Sequence, residues 1–273
     1  MPTDNAIADY LALLQIPRAP VVSLNFLAEL QGAHAATLPF GNLGVLLHED
    51  LSLESEALFD RLVRRRRGGY CFEQNKVFFE TLQYFGFPCD IVMARVLHNR
   101  DVDVPRTHRC TRVHLDSGTY LVDVGFGPLC PREPLRLGDD RPQRQGDLTY
   151  RLVQTDSRQY RLQKEEADGW FTLYSFDDGI YTEADCLCGH HYTATYPTAV
   201  FVNNIVVSLK FADEVRLLQN GGFHRIRHGE TALTAIASPQ HLGETLCQEF
   251  GIAVQDDQLA LLYTGYCTTP GRR

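Results

Sequence analysis

Arg67-Gly68-Gly69-Tyr70-Cys71-Phe72-Glu73-Gln74-Asn75 is the stretch on which the reading of this chain turns. Two glycines let the backbone turn tightly, and a helical pattern begins at the cysteine. Phe72, Phe78, Phe79, Leu82 and Phe85 recur at helical spacing; Gly86 is a C-terminal stop and Pro88 forbids continuation. A thiol at a helix N-terminus feels the positive end of the macrodipole and the unsatisfied backbone N–H groups. Both favour the thiolate, which is the nucleophile, and the same N–H groups can hold an oxyanion. The bland alternative is a buried structural thiol, the usual fate of a free cysteine. Paired glycines directly before a cysteine that opens a helix favour the nucleophile.

Working outward, the first 86 residues have helical patterning. Ile7, Tyr10, Leu11 and Leu14 form one amphipathic face that Pro17 ends, and Ser23 can cap a second helix carrying Phe26, Leu27 and Leu30. Ser52-Leu53-Glu54-Ser55-Glu56 predicts a capped start for a helix through Leu58, Leu62 and Val63. From Ile91 the period becomes strand-like. Runs at 91–97, 111–115, 119–124, 150–154, 160–163 and 170–176 are short, β-branched or aromatic, and punctuated by Gly, Pro, Asp and Ser. They predict a small antiparallel barrel or sandwich. The segment 199–208 is ambiguous, further strands are expected near 214–218 and 224–228, and a helix through Leu242, Leu246 and Phe250. Helices, then strands, then a mixed tail make an α+β protein in three parts.

A length of 273 residues permits a large core, and 44% hydrophobic with 22% charged residues is ordinary for a soluble enzyme. A net charge of −8 argues against nucleic acid or an anionic membrane as partner. Arg64 to Arg67 form the one basic run, able to steer a phosphate but equally a solvated helix end. No signal peptide is legible in Met1-Pro2-Thr3-Asp4-Asn5, and no apolar run has membrane-spanning length. The eight thinly spread cysteines are therefore expected to be reduced thiols in a cytoplasmic protein. Cys186-Leu187-Cys188 beside His190 and His191 lacks zinc-site spacing, and no metal is expected.

A nucleophilic cysteine needs a base and a group to orient it. Of ten histidines, His108 and His114 precede Asp123, an acid among apolar neighbours where an unpaired carboxylate is costly. A two-residue turn at Ser117-Gly118 would set Asp123 opposite Arg112, with both histidines on its face and His114 the nearer. Spacing alone selects His114; a shifted register or bulge would be needed to bring His108 across.

Taken together, Arg-Gly-Gly-Tyr-Cys71-Phe-Glu-x-Asn, Thr-His108 and Val-Asp123-Val-Gly-Phe-Gly closely resemble the arylamine N-acetyltransferases. Leu38-Pro39-Phe40-Gly41-Asn42-Leu43 is similar to that family's Pro-Phe-Glu-Asn-Leu segment, and His191-Tyr192-Thr193-Ala194-Thr195-Tyr196-Pro197, followed by Phe201, to its later His-Tyr-x-Ser-Thr-x-Pro motif. The resemblance selects His108, because family members carry the histidine fifteen residues before the aspartate. It implies a papain-like Cys71-His108-Asp123 core, with a helical bundle at 1–86, a β-barrel at 87–190, and a linker helix and α/β lid at 191–273. It further implies acetyl-CoA as cosubstrate and arylamine or arylhydrazine acceptors, the chemistry of xenobiotic metabolism, by ping-pong transfer through acetyl-Cys71. Phe40, Tyr70, Phe126 and Phe201 map onto acceptor-site positions and Gly127 onto a CoA contact. Two departures stand out: Gly41 replaces the family's Glu, and Pro128, which has no N–H, follows Gly127 where many members have Gly. An amide synthase closing macrolactams on the same fold, a papain- or transglutaminase-like hydrolase and a non-catalytic binding protein remain alternatives at this stage.

Overall fold

The structure, a computed structural model, describes residues 1–17, 21–156 and 158–268. The N-terminal third is helical: α1 (Asp4–Leu13), α2 (Leu24–Thr37), a short α3 (Leu43–Leu46), α4 (Ser55–Phe59) and α5 (Cys71–Tyr84), with the two-residue strand β1 (Phe40–Gly41) between α2 and α3. Ser23 caps α2, its hydroxyl accepting from the Phe26 N–H at 3.2 Å. The helix predicted from Ser52 begins later, at Ser55, because the Ser52 hydroxyl accepts from the Glu54 N–H and holds that stretch in a turn. It continues as a π-turn through Arg64, which carries Leu62 and Val63 into the core.

The middle of the chain folds as β2 (Cys89–Val96), β3 (His108–Leu115), β4 (Gly118–Val122), β5 (Leu135–Arg136), β6 (Gln143–Gln145), β7 (Leu148–Gln154), β8 (Gln159–Glu166) and β9 (Gly169–Asp177). They form an antiparallel sheet in the order β5-β4-β3-β2-β9-β8-β7-β6, curled into a nearly closed barrel. Side chains bridge the remaining seam: Gln143 Oε1 accepts from the Arg136 N–H, and Gln145 Oε1 from the N–H groups of Arg132 and Glu133. Helix α6 (Glu183–Thr195) and the short α7 (Val200–Asn203) lead into β10 (Val206–Lys210), β11 (Val215–Gln219), β12 (Gly222–Arg227) and β13 (Glu230–Ala235), then α8 (Pro239–Phe250) and α9 (Asp256–Leu262). The ambiguous segment 199–208 is thus half helix and half strand. Strand β1 joins the edge of this second antiparallel sheet, pairing Phe40 with Ser208 and Gly41 with Val207.

Three buried clusters hold these layers together: α1, α2, α4 and α5 against the outer face of the barrel, the barrel interior, and the second sheet against α8 and α9. Among the described residues no helix is long and apolar enough to cross a membrane. The arginines at 64–67 are engaged with the protein itself: Arg64 with Asp9 and Glu56, Arg65 with Asp60, Arg67 with Glu49, and Arg66 against Gly251.

The β3–β4 hairpin departs from its predicted register. The turn is Asp116-Ser117, with Leu115 opposite Gly118 and Thr111 opposite Val122. Gly118 has φ 137°, a conformation an L-residue rarely adopts, so it serves as the first strand residue after the turn rather than a turn residue. Continuing the register sets Asp123 opposite Cys110, two residues from His108 and four from His114.

Candidate active site

The loop before α5 is clamped from three sides. Gly69 donates its N–H to the Pro39 carbonyl, and the Gly41 N–H donates to the Gly69 carbonyl. Gln74, buried in α5, donates to both the Pro39 and Gly69 carbonyls at 2.8 and 3.2 Å. The Glu73 carboxylate accepts from the Tyr70 N–H at 2.9 Å, which satisfies one donor at the helix start. Glu73 is itself buried and paired with Arg61. Gly68 has φ 72°, and a Cβ on Gly69 would lie 3.0 Å from the Glu73 carboxylate, so both glycines are demanded by the local path. The result is a fixed cysteine at the first helical position.

Cys71 is buried, with its sulfur 3.6 Å from the Thr107 carbonyl and hydrogen-bonded to His108. His108 Nε2 meets Asp123 Oδ2 at 2.7 Å, which leaves Nδ1 for the sulfur. Burial opposes a charge on His108, but the Asp123 carboxylate and its hydrogen bond, with Cys71, outweigh it and push the imidazole up to about 10. Burial likewise opposes the Asp123 charge, yet His108, Asn75 and the Gly125 N–H hold the carboxyl below its ordinary range. All four lone-pair directions of Asp123 are used: Oδ1 accepts from Asn75 at 3.0 Å and Gly125 N at 2.9 Å, and Oδ2 from His108 and from the Tyr174 hydroxyl at 3.0 Å. His114 stands apart, half-exposed, 2.8 Å from Asp90.

Two residues of this network carry no role in the sequence reading. Asn75 lies one helical turn beyond Cys71, on the same face of α5. It donates to the Arg109 carbonyl at 2.6 Å and to Asp123, and accepts from the Val124 N–H at 3.1 Å. The i, i+4 spacing from the cysteine was a signal for it. Tyr174 comes from β9, a distant strand with no local motif, and sequence spacing could not have found it.

A cavity of about 370 Å³ opens onto Cys71 and His108 and is walled by Phe40, Phe126, Gly127 and Phe201. Phe126 meets the His108 ring edge-on at 5.0 Å, and Phe40 packs on Phe201 at 5.7 Å. Gly127, with φ 60°, touches the Phe40 ring where a Cβ would be 3.3 Å away, and Pro128 occupies the first turn of a 3₁₀ segment, where a missing N–H is tolerated. Gly41 lies against Val207, 3.5 Å from the position of a Cβ. Tyr70 is one layer behind the wall: its ring lies against Phe201 and stacks on His190, and its hydroxyl meets His190 Nδ1 at 2.5 Å. Its ring therefore meets the cavity wall through Phe201.

A larger cleft, about 820 Å³, lies across α6 between the 44–54 segment and Lys76, Glu183 and His191, but it contains neither Cys71 nor His108. His190 is committed to Tyr70 and the Leu51 carbonyl, and Cys186 is packed 3.7 Å from the Met93 sulfur. Among the described residues no three His, Cys, Asp or Glu side chains are placed to hold a metal ion.

A family profile described as N-acetyltransferase matches residues 23–259. Arylamine N-acetyltransferase of Escherichia coli is 32% identical over 274 residues, covering 96% of this chain and 96% of that protein. The solved arylamine N-acetyltransferase of Salmonella typhimurium superposes with a TM-score of 0.92 at 28% identity, covering 97% of this chain and all of that one. The Mycobacterium marinum enzyme, solved in complex with CoA, gives 0.89 at 30% identity, covering 95% and 99%. On fold, motif order and full-length similarity together, the chain belongs to the arylamine N-acetyltransferase family.

Proposed function

We propose that the protein transfers acetyl groups from acetyl-CoA to arylamines and arylhydrazines through an acetyl-Cys71 intermediate. The carrying observation is that Cys71, at the first position of α5, and His108, held by Asp123, open together into one aromatic-walled cavity. In the first half-reaction the Cys71 sulfur attacks the thioester carbonyl. N–H groups of the first turn of α5 oppose the oxyanion, and the CoA sulfur departs with the proton held by His108. In the second, the aromatic amine attacks the acetyl-enzyme, His108 takes the amine proton, and the Cys71 thiolate is expelled. An aromatic amine suits this site because its low basicity leaves it unprotonated at neutral pH. The first half-reaction exchanges one thioester for another and is near thermoneutral, and the second turns a thioester into the more stable amide, so neither needs an external energy source. Asp123 fixes the imidazole tautomer that can receive a proton at Nδ1. The eight cysteines carry no disulfide, which supports a reducing, cytoplasmic location.

Mass spectrometry of the protein with acetyl-CoA and no amine tests the reading. One acetyl group on the Cys71 peptide, discharged when an arylamine is added, is the expected result. Acetylation confined to another cysteine, or full turnover in Cys71→Ala, would overturn it.

A further inference from the structure

The loop that leads into Cys71 is also held by buried polar side chains that are not part of the cavity wall. Tyr10 of α1, His34 of α2 and Gln74 of α5 are all fully buried, the first among the apolar residues of the helical cluster. Burying polar groups is costly unless each finds a partner, and these find one another. The Tyr10 hydroxyl lies 2.6 Å from His34 Nδ1, and His34 Nε2 lies 2.8 Å from Gln74 Oε1. Gln74 Nε2 then reaches the carbonyls of Pro39 and Gly69. The His34 ring is braced edge-on against Phe78 at 5.5 Å and Tyr10 at 5.8 Å.

Hydrogen-bond chemistry places every proton in this chain. Carbonyl oxygens only accept, so the Gln74 amide presents its nitrogen to Pro39 and Gly69 and its oxygen to His34. That oxygen needs a donor, so His34 carries its proton at Nε2. Burial lowers His34 to about 4, against the raising effect of its bond to Gln74, so the ring is neutral at neutral pH and Nδ1 is a bare acceptor. Burial holds the Tyr10 hydroxyl well above its ordinary value, so it keeps the proton that it donates to Nδ1. Every bond therefore runs one way, from α1 to the loop. Turning the Gln74 amide over would set its oxygen against two carbonyls and its NH2 against the His34 N–H. Histidine and loop thus fix the amide between them.

The loop end of the chain bears on the nucleophile. The Gly69 carbonyl is held by the Gln74 amide and by the Gly41 N–H at 2.9 Å, and α5 opens at Cys71 directly after Tyr70. Any shift of that carbonyl tilts the short stretch of backbone from which the sulfur projects. We propose that His34, backed by Tyr10, is a positioning residue for Cys71: by orienting the Gln74 amide it holds the Gly69 carbonyl and so sets where the sulfur sits relative to His108. The inference rests on the acetyl-transfer reading for the reaction that it serves, while the placement of the thiol can be measured without acetyl-CoA.

The test replaces the imidazole one nitrogen at a time. The side-chain amide of Gln reaches the place of Nε2 and that of Asn only the place of Nδ1. His34→Gln can therefore still donate to Gln74, His34→Asn cannot, and His34→Leu removes both bonds. Two rates are read per mole of folded protein: alkylation of Cys71 by iodoacetamide, located by peptide mass spectrometry, and single-turnover acetylation at saturating acetyl-CoA. The acetyl-CoA concentration for half-maximal rate is measured alongside. His34→Leu is expected to slow both rates by about 10–100-fold, as for a reacting group displaced by up to about 1 Å, with the half-maximal concentration unchanged. His34→Gln should recover most of the loss and His34→Asn little, although both bury an amide at the same place. Folded His34→Leu with the parental rates overturns the proposal and leaves His34 a residue of stability alone. Equal recovery by His34→Gln and His34→Asn also overturns it, because the histidine would then not act through Gln74. Should His34→Leu fail to fold, the other two decide: slower alkylation in His34→Asn than in His34→Gln supports the proposal, and equal rates overturn it. Failure of the unmodified protein to take an acetyl group would count against the acetyl-transfer reading instead, and the alkylation rates would still decide the positioning.

Discussion

At the scale of single residues, the two histidines separate cleanly by their surroundings. His108 is buried against Asp123, Phe126 and Tyr174, whereas His114 is half-exposed beside Asp90. Under the mechanism proposed here, His108→Ala should slow acetylation of the protein by acetyl-CoA by about 10²–10⁴-fold, the value of a lost general base. His114→Ala should retain most of the rate. Stopped-flow release of CoA measures both, and an active His108→Ala beside a dead His114→Ala would reassign the base. The pair also has a pH signature. The folded value of His108 is raised, so its stabilisation is complete below about pH 6.5 and is lost as pH climbs toward about 10. Asp123 is lowered, so its share is complete above about pH 3.9 and is lost as pH falls. Denaturant titrations of the parent and His108→Gln should therefore differ most between these limits and converge at alkaline pH. A difference that grows steadily up to pH 10 would remove the buried ion pair from the account. The grouping of Cys71, His108 and Asp123 was legible because each sits in its own short motif of the family the chain resembles. Asn75 and Tyr174, which complete the carboxylate's hydrogen bonds, were not assigned, since their roles depend on a helix face and a strand brought from far along the chain.

At the scale of elements, the contact between the 123–127 loop and the start of α5 is the tightest in the site. A Cβ on Gly125 would lie 2.5 Å from the Asn75 side-chain nitrogen and 2.8 Å from the Cys71 Cα, part of which is backbone and cannot swing away. Gly125→Ala should therefore push the loop off α5 and loosen both Asp123 and Asn75. The expected outcome is a loss of activity on the order of that for Asp123→Asn, with an unfolding free energy lower by about 1–3 kcal/mol for an overpacked core. Chemical denaturation with parallel acetylation rates checks it, and normal values for both would mean that the loop is free to shift. Most elements were visible in the sequence as periodicity, with start signals such as Ser23 marking their ends. Hairpin register was not. The choice between Asp116-Ser117 and Ser117-Gly118 as the turn moves every opposed pair by two residues, yet leaves alternation unchanged, so the hydrophobic pattern cannot distinguish them. That choice is why spacing favoured His114 while the fold brings His108 to Asp123.

At the scale of the whole molecule, we propose that the three buried clusters mark three domains, near 1–86, 87–190 and 191–273, the last ending outside the described residues. Helix α6 runs unbroken across position 190, so the second division lies along a continuous helix. Lys210, in β10, ties the second sheet to the barrel: its buried ammonium donates to the Cys130 carbonyl at 2.6 Å and the Tyr150 hydroxyl at 2.7 Å. Burial lowers it to about 8, and among the described residues no carboxylate pairs with it. Among the described residues, Lys210→Met would take the only donor from the Tyr150 hydroxyl oxygen and leave the Cys130 carbonyl with just the longer bond from that hydroxyl, at 3.3 Å. It should cost about 1–3 kcal/mol, read by urea titration; no change would mean that the interface does not depend on this tie. What the sequence determined by itself was local: the elements from periodicity, the place of Cys71 at a helix start from the paired glycines before it, and the family from motif order. What only the tertiary structure decided was non-local: the hairpin register, the four donors around Asp123, the position of Tyr70 behind the wall, and the hydrogen-bond chain from Tyr10 through His34 to Gln74. Short-range order follows from backbone sterics and side-chain spacing within a few residues. Pairings between distant segments are settled only when burial and hydrogen-bond satisfaction are met for the whole chain at once.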